Sequence, residues 1–209
     1  MDIVVCYCHL SIVLMERQQI TVFDFDGTLT VKDTLFEFIR HAKGQWAVFI
    51  GIVCCSPFLL ACLLRLYPNG KAKEKLFSYF FKGMPYQQFC QLGQDFCIRI
   101  KDIERGSLVS RLQRCVSEGQ KVYVVSASIK EWVRPWCERQ GVKNVLTTEV
   151  EVADGLLTGR FSIPNCYGQE KVHRFLSEEP QRETYELCVY GDSAGDDALM
   201  AIADHCVRV

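Results

Sequence analysis

Hydrophobic positions along this chain follow two rhythms. Ile20-Thr21-Val22-Phe23 is a short apolar run that reads as a buried strand, and it stops at Asp24-Phe25-Asp26-Gly27-Thr28. Lys121-Val122-Tyr123-Val124-Val125 repeats the pattern and stops at Ser126-Ala127-Ser128, while Leu187-Cys188-Val189-Tyr190 stops at Gly191-Asp192. Cys206 to Val209 reads as a further strand. Between Thr28 and Ser126 the rhythm is helical. Thr34-x-x-Glu37 resembles a capping box ahead of Leu35, Phe36, Ile39 and Ala42, and a second stripe runs through Leu76, Phe77, Phe80 and Phe81. A third stripe comprises Phe89, Leu92, Phe96, Ile100 and Ile103. After Ser126, a helix around Ile129, Trp132, Val133 and Trp136, capped by Ser128 with Glu131, leads to Asn144–Val152. Asp154-Gly155 predicts a hairpin turn into Leu156–Ile163, and Val172, Phe175 and Leu176 form an amphipathic face beside Lys171. This alternation predicts an α/β fold: a Rossmann-like parallel sheet flanked by helices, with an inserted helical cap.

The strand ends carry the chemistry. Strand alternation sends Asp24 and Asp26 to the same side, where like charges repel unless a cation or a shared proton intervenes. Gly27 permits a sharp turn and Thr28 offers a hydroxyl and an N–H to an anion. Asp192 and Asp196 bring further carboxylates, while Ser126 and Lys171 bring a hydroxyl and an ammonium. A phosphate monoester repels nucleophiles, so a carboxylate that attacks it needs a cation. Mg²⁺ suits that role, with Asp24 and Asp192 as direct ligands and the backbone carbonyl of Asp26 as a third. Ser126 and Lys171 would hold the phosphoryl oxygens. Each feature alone has an ordinary reading, since Asp-Gly pairs form turns, serines cap helices and lysines sit on surfaces.

In this order, the aspartate pair, the hydroxyl, the lysine and the Asp-x-x-x-Asp pair resemble the four motifs of the haloacid dehalogenase superfamily of phosphotransferases and phosphatases. The resemblance implies that Asp24 is the nucleophile that forms an aspartyl-phosphate. It implies that Asp26 protonates the leaving group and then activates water. By the same likeness Asp192 binds Mg²⁺, Asp196 binds it directly or through water, and Thr28, Ser126 and Lys171 hold phosphate. Asp197 receives no role. The chain from about Gln19 onward, including Tyr167-Gly168-Gln169-Glu170-Lys171-Val172, is similar to the phosphoserine-phosphatase-like branch, in particular to members related to phosphatidylglycerophosphatase C. This divides the chain into an N-terminal extension (1–18), a catalytic core (19–30 and 107–209) and a helical cap (31–106).

Composition narrows the picture a little. A chain of 209 residues, 49% of them hydrophobic, suffices for a sizeable core, and a net charge of −1 gives no reason to expect nucleic acid. The 12 cysteines lie mostly in apolar runs (Cys54, Cys55, Cys62, Cys188) without a Cys-x-x-Cys pair, which predicts buried reduced thiols and a cytoplasmic protein. Cys6-x-Cys8-His9 lacks a partner cluster for zinc. Ile3 to Met15 is apolar but lacks the basic flank and cleavage site of a secretory signal, and Met15 is a candidate start.

From Gly44 to Leu64 the sequence carries no charge and is bracketed by Lys43 and Arg65, with Trp46 and Tyr67 near its ends. As one helix it would extend roughly 32 Å, comparable to a bilayer core. A single crossing would separate Asp24 from Ser126, Lys171 and Asp192. Ser56-Pro57 therefore predicts an apolar hairpin over 44–67 that dips into one leaflet or lies at the cytoplasmic membrane face, with Arg40, Lys43, Arg65, Lys71, Lys73 and Lys75 facing anionic headgroups. The alternative is packing on the other cap helices or in a dimer. These readings converge on a Mg²⁺-dependent phosphatase for a lipid phosphate such as phosphatidylglycerophosphate. A soluble phosphatase for a small metabolite such as phosphoserine is the alternative, and a membrane-surface binding protein without turnover is a third.

Overall fold

Five parallel strands form the centre of the molecule in the order β3-β2-β1-β6-β7. They are β1 (Gln18–Phe23), β2 (Lys121–Ile129), β3 (Asn144–Thr148), β6 (Tyr185–Gly191) and β7 (His205–Arg208). The computed structural model describes residues 17–64 and 66–209. The N-terminal features (Cys6, Cys8, His9, Met15) and Arg65 lie outside the described residues, as does most of the proposed extension. The apolar runs are nearly unbroken because the central strands are covered on both faces, as parallel sheets require. Ile20 and Val22 join Tyr123, Val125, Leu187 and Val189 in one apolar cluster, whereas Phe23, Val122 and Val124 join the cluster on the other face.

From β1 the chain builds outward in both directions, to β2 and β3 on one side and to β6 and β7 on the other. The reversal occurs beside β1, so a crevice opens at the C-terminal ends of β1 and β6, where open α/β sheets bind their ligands. Helices α5 (Gly106–Ser117), α6 (Lys130–Arg139), α7 (Gln169–Glu178) and α8 (Asp197–Met200) connect and cover the sheet. Strand β2 runs on to Ile129, so the expected Ser128–Glu131 cap does not form. The Ser128 hydroxyl instead meets that of Thr34, and Glu131 accepts from the Tyr86 hydroxyl.

The inserted segment contains α1 (Thr34–Lys43), α2 (Gln45–Leu63), α3 (Asn69–Phe81) and α4 (Tyr86–Arg99). Asp33, not Thr34, caps α1, accepting from the N–H groups of Leu35 and Phe36. The antiparallel hairpin β4 (Val150–Ala153) and β5 (Leu156–Phe161) turns at Asp154 and Gly155, both with positive φ. It leans on the cap, where Gly83 and Tyr86 donate to the carbonyls of Leu157 and Gly155. Cap and core share one apolar cluster, in which Phe38 stacks on Trp132 at 4.4 Å.

The hairpin expected over 44–67 is not formed. Helix α2 continues through Pro57 as a single element. Proline removes the N–H that would bond to the Val53 carbonyl, and the Ser56 hydroxyl donates to that carbonyl instead at 2.7 Å. The helix turns back after Leu63 and packs against both α1 and α3. Among the described residues no helix is long and apolar enough to cross a membrane. Of the cysteines expected inside, Cys55 is buried but Cys54 faces outward.

Candidate active site

Residue by residue, the site begins at Asp24, which leaves β1 with its N–H donating to the Tyr190 carbonyl of β6. Its carboxylate is buried, with Oδ1 2.5 Å from Lys171 Nζ and Oδ2 accepting from the Thr28 hydroxyl at 3.2 Å. Helix α7 delivers Lys171, which also reaches Asp196 Oδ1 at 2.6 Å. Asp196 Oδ2 accepts from the backbone N–H groups of Asp192 and Ser193 and from the Ser193 hydroxyl, so it shapes the loop after β6. Asp197 lies outside this cluster and pairs with Arg208 of β7.

Asp24, Asp192 and Asp196 each offer an oxygen within 4.8 Å of the others. Three carboxylates facing one ammonium leave a negative excess, and three hard oxygen donors with one of them half-exposed fit Mg²⁺. Burial pushes the Asp24 carboxyl up to about 7, with Lys171 opposing the shift. Burial also raises Asp192, and neighbouring Asp196 adds to that rise. For Lys171 burial works against the charge, but Asp24 and Asp196 more than offset it and hold the ammonium above its usual range.

The Asp26 carboxylate does not join this cluster. Its Oδ1 accepts from the Thr34 N–H at 2.9 Å and from the Thr34 hydroxyl at 2.6 Å. As a metal ligand Asp26 is therefore left with its backbone carbonyl. Burial raises its pKa, with Asp33 adding to the rise and Lys73 opposing it. A carboxyl with a raised pKa beside a cleft is suited to general-acid work.

The cleft of about 550 Å³ is bordered by Asp24, Asp26, Ser126, Lys171 and Asp192, with Leu35, Phe36 and Leu76 from the cap. Ser126 accepts from the Ser128 N–H at 3.0 Å, which leaves its own proton available to a ligand. Thr28 departs from expectation: it is fully buried, and its hydroxyl serves Asp24 rather than the cleft. Lys73, expected on an outer basic face, instead borders the cleft.

Two supporting residues escaped the sequence reading. Thr34 was absorbed by the capping pattern, yet it fixes Asp26. Arg105 donates to the Gly27 and Thr28 carbonyls, holding the turn below Asp26 from a distant position with no local signature. Gly27 was legible, and its reason is steric. Its φ is +79°, and a Cβ there would lie 2.1 Å from Asp192 Oδ2.

Residues 21–201 match the family model of the haloacid dehalogenase-like hydrolases. The CicA protein of Caulobacter vibrioides is 30% identical over 188 residues, covering 88% of this chain and 83% of that protein. A crystal structure from Bordetella pertussis Tohama I, of a protein with unknown function, superposes with a TM-score of 0.76 at 18% identity, covering 92% of this chain and 90% of that one. A phosphoserine phosphatase captured as a phospho-aspartyl intermediate analogue superposes with a TM-score of 0.64 at 19% identity, covering 92% and 87%. At such identities the two solved structures speak for the fold.

Proposed function

We propose that this chain, which belongs to the haloacid dehalogenase-like hydrolase family, hydrolyses phosphate monoesters by way of a phosphorylated Asp24. The observation that carries the reading is Asp24 beside Lys171, Asp192 and Asp196 at the mouth of the sheet.

In the first step an Asp24 carboxylate oxygen attacks phosphorus, and the bond from phosphorus to the ester oxygen breaks. Lys171 offsets charge on the phosphoryl oxygens and the Ser126 hydroxyl donates to one of them. Thr28 steadies the nucleophile through Oδ2. Asp26 is held through Oδ1, so its other oxygen carries the proton to the departing alkoxide. In the second step Asp26 takes a proton from water, whose oxygen attacks phosphorus and restores the Asp24 carboxylate. Asp24, Asp192, Asp196 and the Asp26 carbonyl are the groups that would hold Mg²⁺, whose charge offsets that of the phosphate when bound.

For the substrate we favour a lipid phosphate monoester such as phosphatidylglycerophosphate. The cleft supports this by pairing apolar cap residues (Val31, Leu35, Phe36, Leu76) with two cations, Lys32 and Lys73, that suit a leaving group with a second negative charge. One observation favours a small zwitterionic ester instead: Asp33 and Lys73 border the same cleft with opposite charges. Hydrolysis of p-nitrophenyl phosphate with and without Mg²⁺ tests the activity. A panel of phosphatidylglycerophosphate, phosphatidic acid and phosphoserine tests the class, and preference for phosphoserine would overturn the lipid assignment.

A further inference from the structure

Helix α2 is apolar on every side, a composition ordinarily confined to a helix covered all round or immersed in lipid. Among its described residues only a narrow stripe is covered. Gly51 and Cys55 are buried, and Gly51 lies so close to α3 that a Cβ would meet the Phe80 ring at 2.2 Å. The opposite side is open: Trp46 is 74% exposed and Phe49 62%, and Ile50, Val53 and Leu60 are exposed with them. Trp46, Phe49/Ile50, Val53 and Leu60 recur at helical spacing, so they form one continuous outer face along roughly 21 Å of helix. An exposed apolar face of this extent marks an interaction surface.

The charge around this face selects its occupant. The sequence has no Asp or Glu between Glu37 and Glu74, so neither α2 itself nor the loops at its two ends carry an anionic side chain. Lys75 places its ammonium 5.7 Å from the ring of Phe58 on α2, and Lys43 lies over Phe81 at 5.8 Å just before α2 begins. Neither lysine has a carboxylate partner among the described residues. An apolar strip edged by unpaired cations, with an aromatic near its start, complements the acyl boundary and anionic headgroups of a phospholipid bilayer.

We propose that the outer face of α2 docks this protein in the plane of an anionic membrane. Docking there carries the cleft with it. Helices α1 and α3, which flank α2, also supply Leu35, Phe36, Lys73 and Leu76 to the cleft wall. The inference deepens the lipid-phosphate reading, but its test does not depend on catalysis.

The test is flotation of the full chain with vesicles of equal parts phosphatidylcholine and phosphatidylglycerol, and with phosphatidylcholine alone. The wild type is expected to float with the mixed vesicles and to bind less at high salt. The pair Phe49→Glu with Val53→Glu is expected to lower the bound fraction roughly tenfold or more. Lys43→Glu with Lys75→Glu is expected to abolish the preference for phosphatidylglycerol. Asp24→Asn is expected to float like the wild type. Thermal melts and p-nitrophenyl phosphate rates equal to wild type in these surface variants separate lost docking from lost fold. A wild type that stays at the bottom of the gradient overturns the proposal, as does undiminished flotation of the Phe49/Val53 pair. A soluble dimer that the same pair dissociates, or binding restored to the vesicles only when residues 1–16 are removed, assigns the face to another occupant and also overturns it. A wild type that floats but hydrolyses no phosphate ester contradicts the enzymatic reading and leaves the docking inference standing.

Discussion

The hydroxyl and N–H of Thr34 together hold the Asp26 carboxyl in place. The hydroxyl donates to Asp26 Oδ1 and accepts from Trp132 Nε1 at 3.0 Å and from the Ser128 hydroxyl at 2.7 Å, using its one proton and both lone pairs. Thr34→Val leaves two buried donors without an acceptor and leaves Asp26 Oδ1 held through the backbone N–H of residue 34 alone. We expect kcat to fall roughly 10- to 100-fold with KM little changed, and Thr34→Ser to restore most of it. Asp24 presents a different balance. Its pKa lies at about 7 instead of 3.8 because burial disfavours the charged form. The buried acid's contribution to stability is therefore full below its unfolded pKa and is lost as pH rises through about 7. Asp24→Asn is therefore expected to stabilise the metal-free protein by roughly 1–3 kcal/mol at pH 8, and by much less at pH 4, in thermal melts. The same substitution should lower turnover by roughly a thousandfold or more. The carboxylates were legible in the sequence because two acids at a strand end are anomalous. Thr34 was not, since a threonine before a helix already has an ordinary explanation.

Turns and helices set these residues at their distances. The Gly27 turn itself lies against Asp192, and no other residue fits there. Gly27→Ala is expected to lower the melting temperature and to raise the Mg²⁺ concentration for half-maximal activity, because the added methyl displaces Asp192. Titration of activity against Mg²⁺ checks this. The strands β1, β2 and β6 were legible from their unbroken apolar runs, which only burial on both faces explains. Helix α2 was misread at Pro57. The rule that proline ends helices assumes an orphaned carbonyl, and Ser56 supplies a donor to it. A serine preceding the proline was visible, but its bond depends on a helix already formed. The β4–β5 hairpin was legible from Asp154-Gly155, although its lean onto the cap rests on contacts distant in sequence.

In the whole molecule, topology converts scattered residues into one site. Order β3-β2-β1-β6-β7 places the ends of β1 and β6 side by side, and α7 swings Lys171 between their carboxylates. Because cap and core share an apolar cluster built around Phe38, Phe89 and Trp132, the base of the cap is part of the domain's core. A dication bound among Asp24, Asp192 and Asp196 would favour the folded state. Saturating Mg²⁺ is expected to raise the melting temperature by roughly 5 °C, and EDTA to abolish both that gain and hydrolysis. A parallel sheet with the site at its strand ends was legible from the motifs, but the strand order and the side-chain network that ties cap to core were not, since they join residues far apart in the chain.

The central claim is that Asp24 takes the phosphoryl group. Acid quenching within a single turnover, followed by peptide mass spectrometry, tests it most directly. One phosphoryl group on Asp24, accumulating before free phosphate and missing in Asp24→Asn, is the result this account predicts. A phosphoryl group on Ser126 instead, or Asp24→Asn turning over at the wild-type rate, would contradict it.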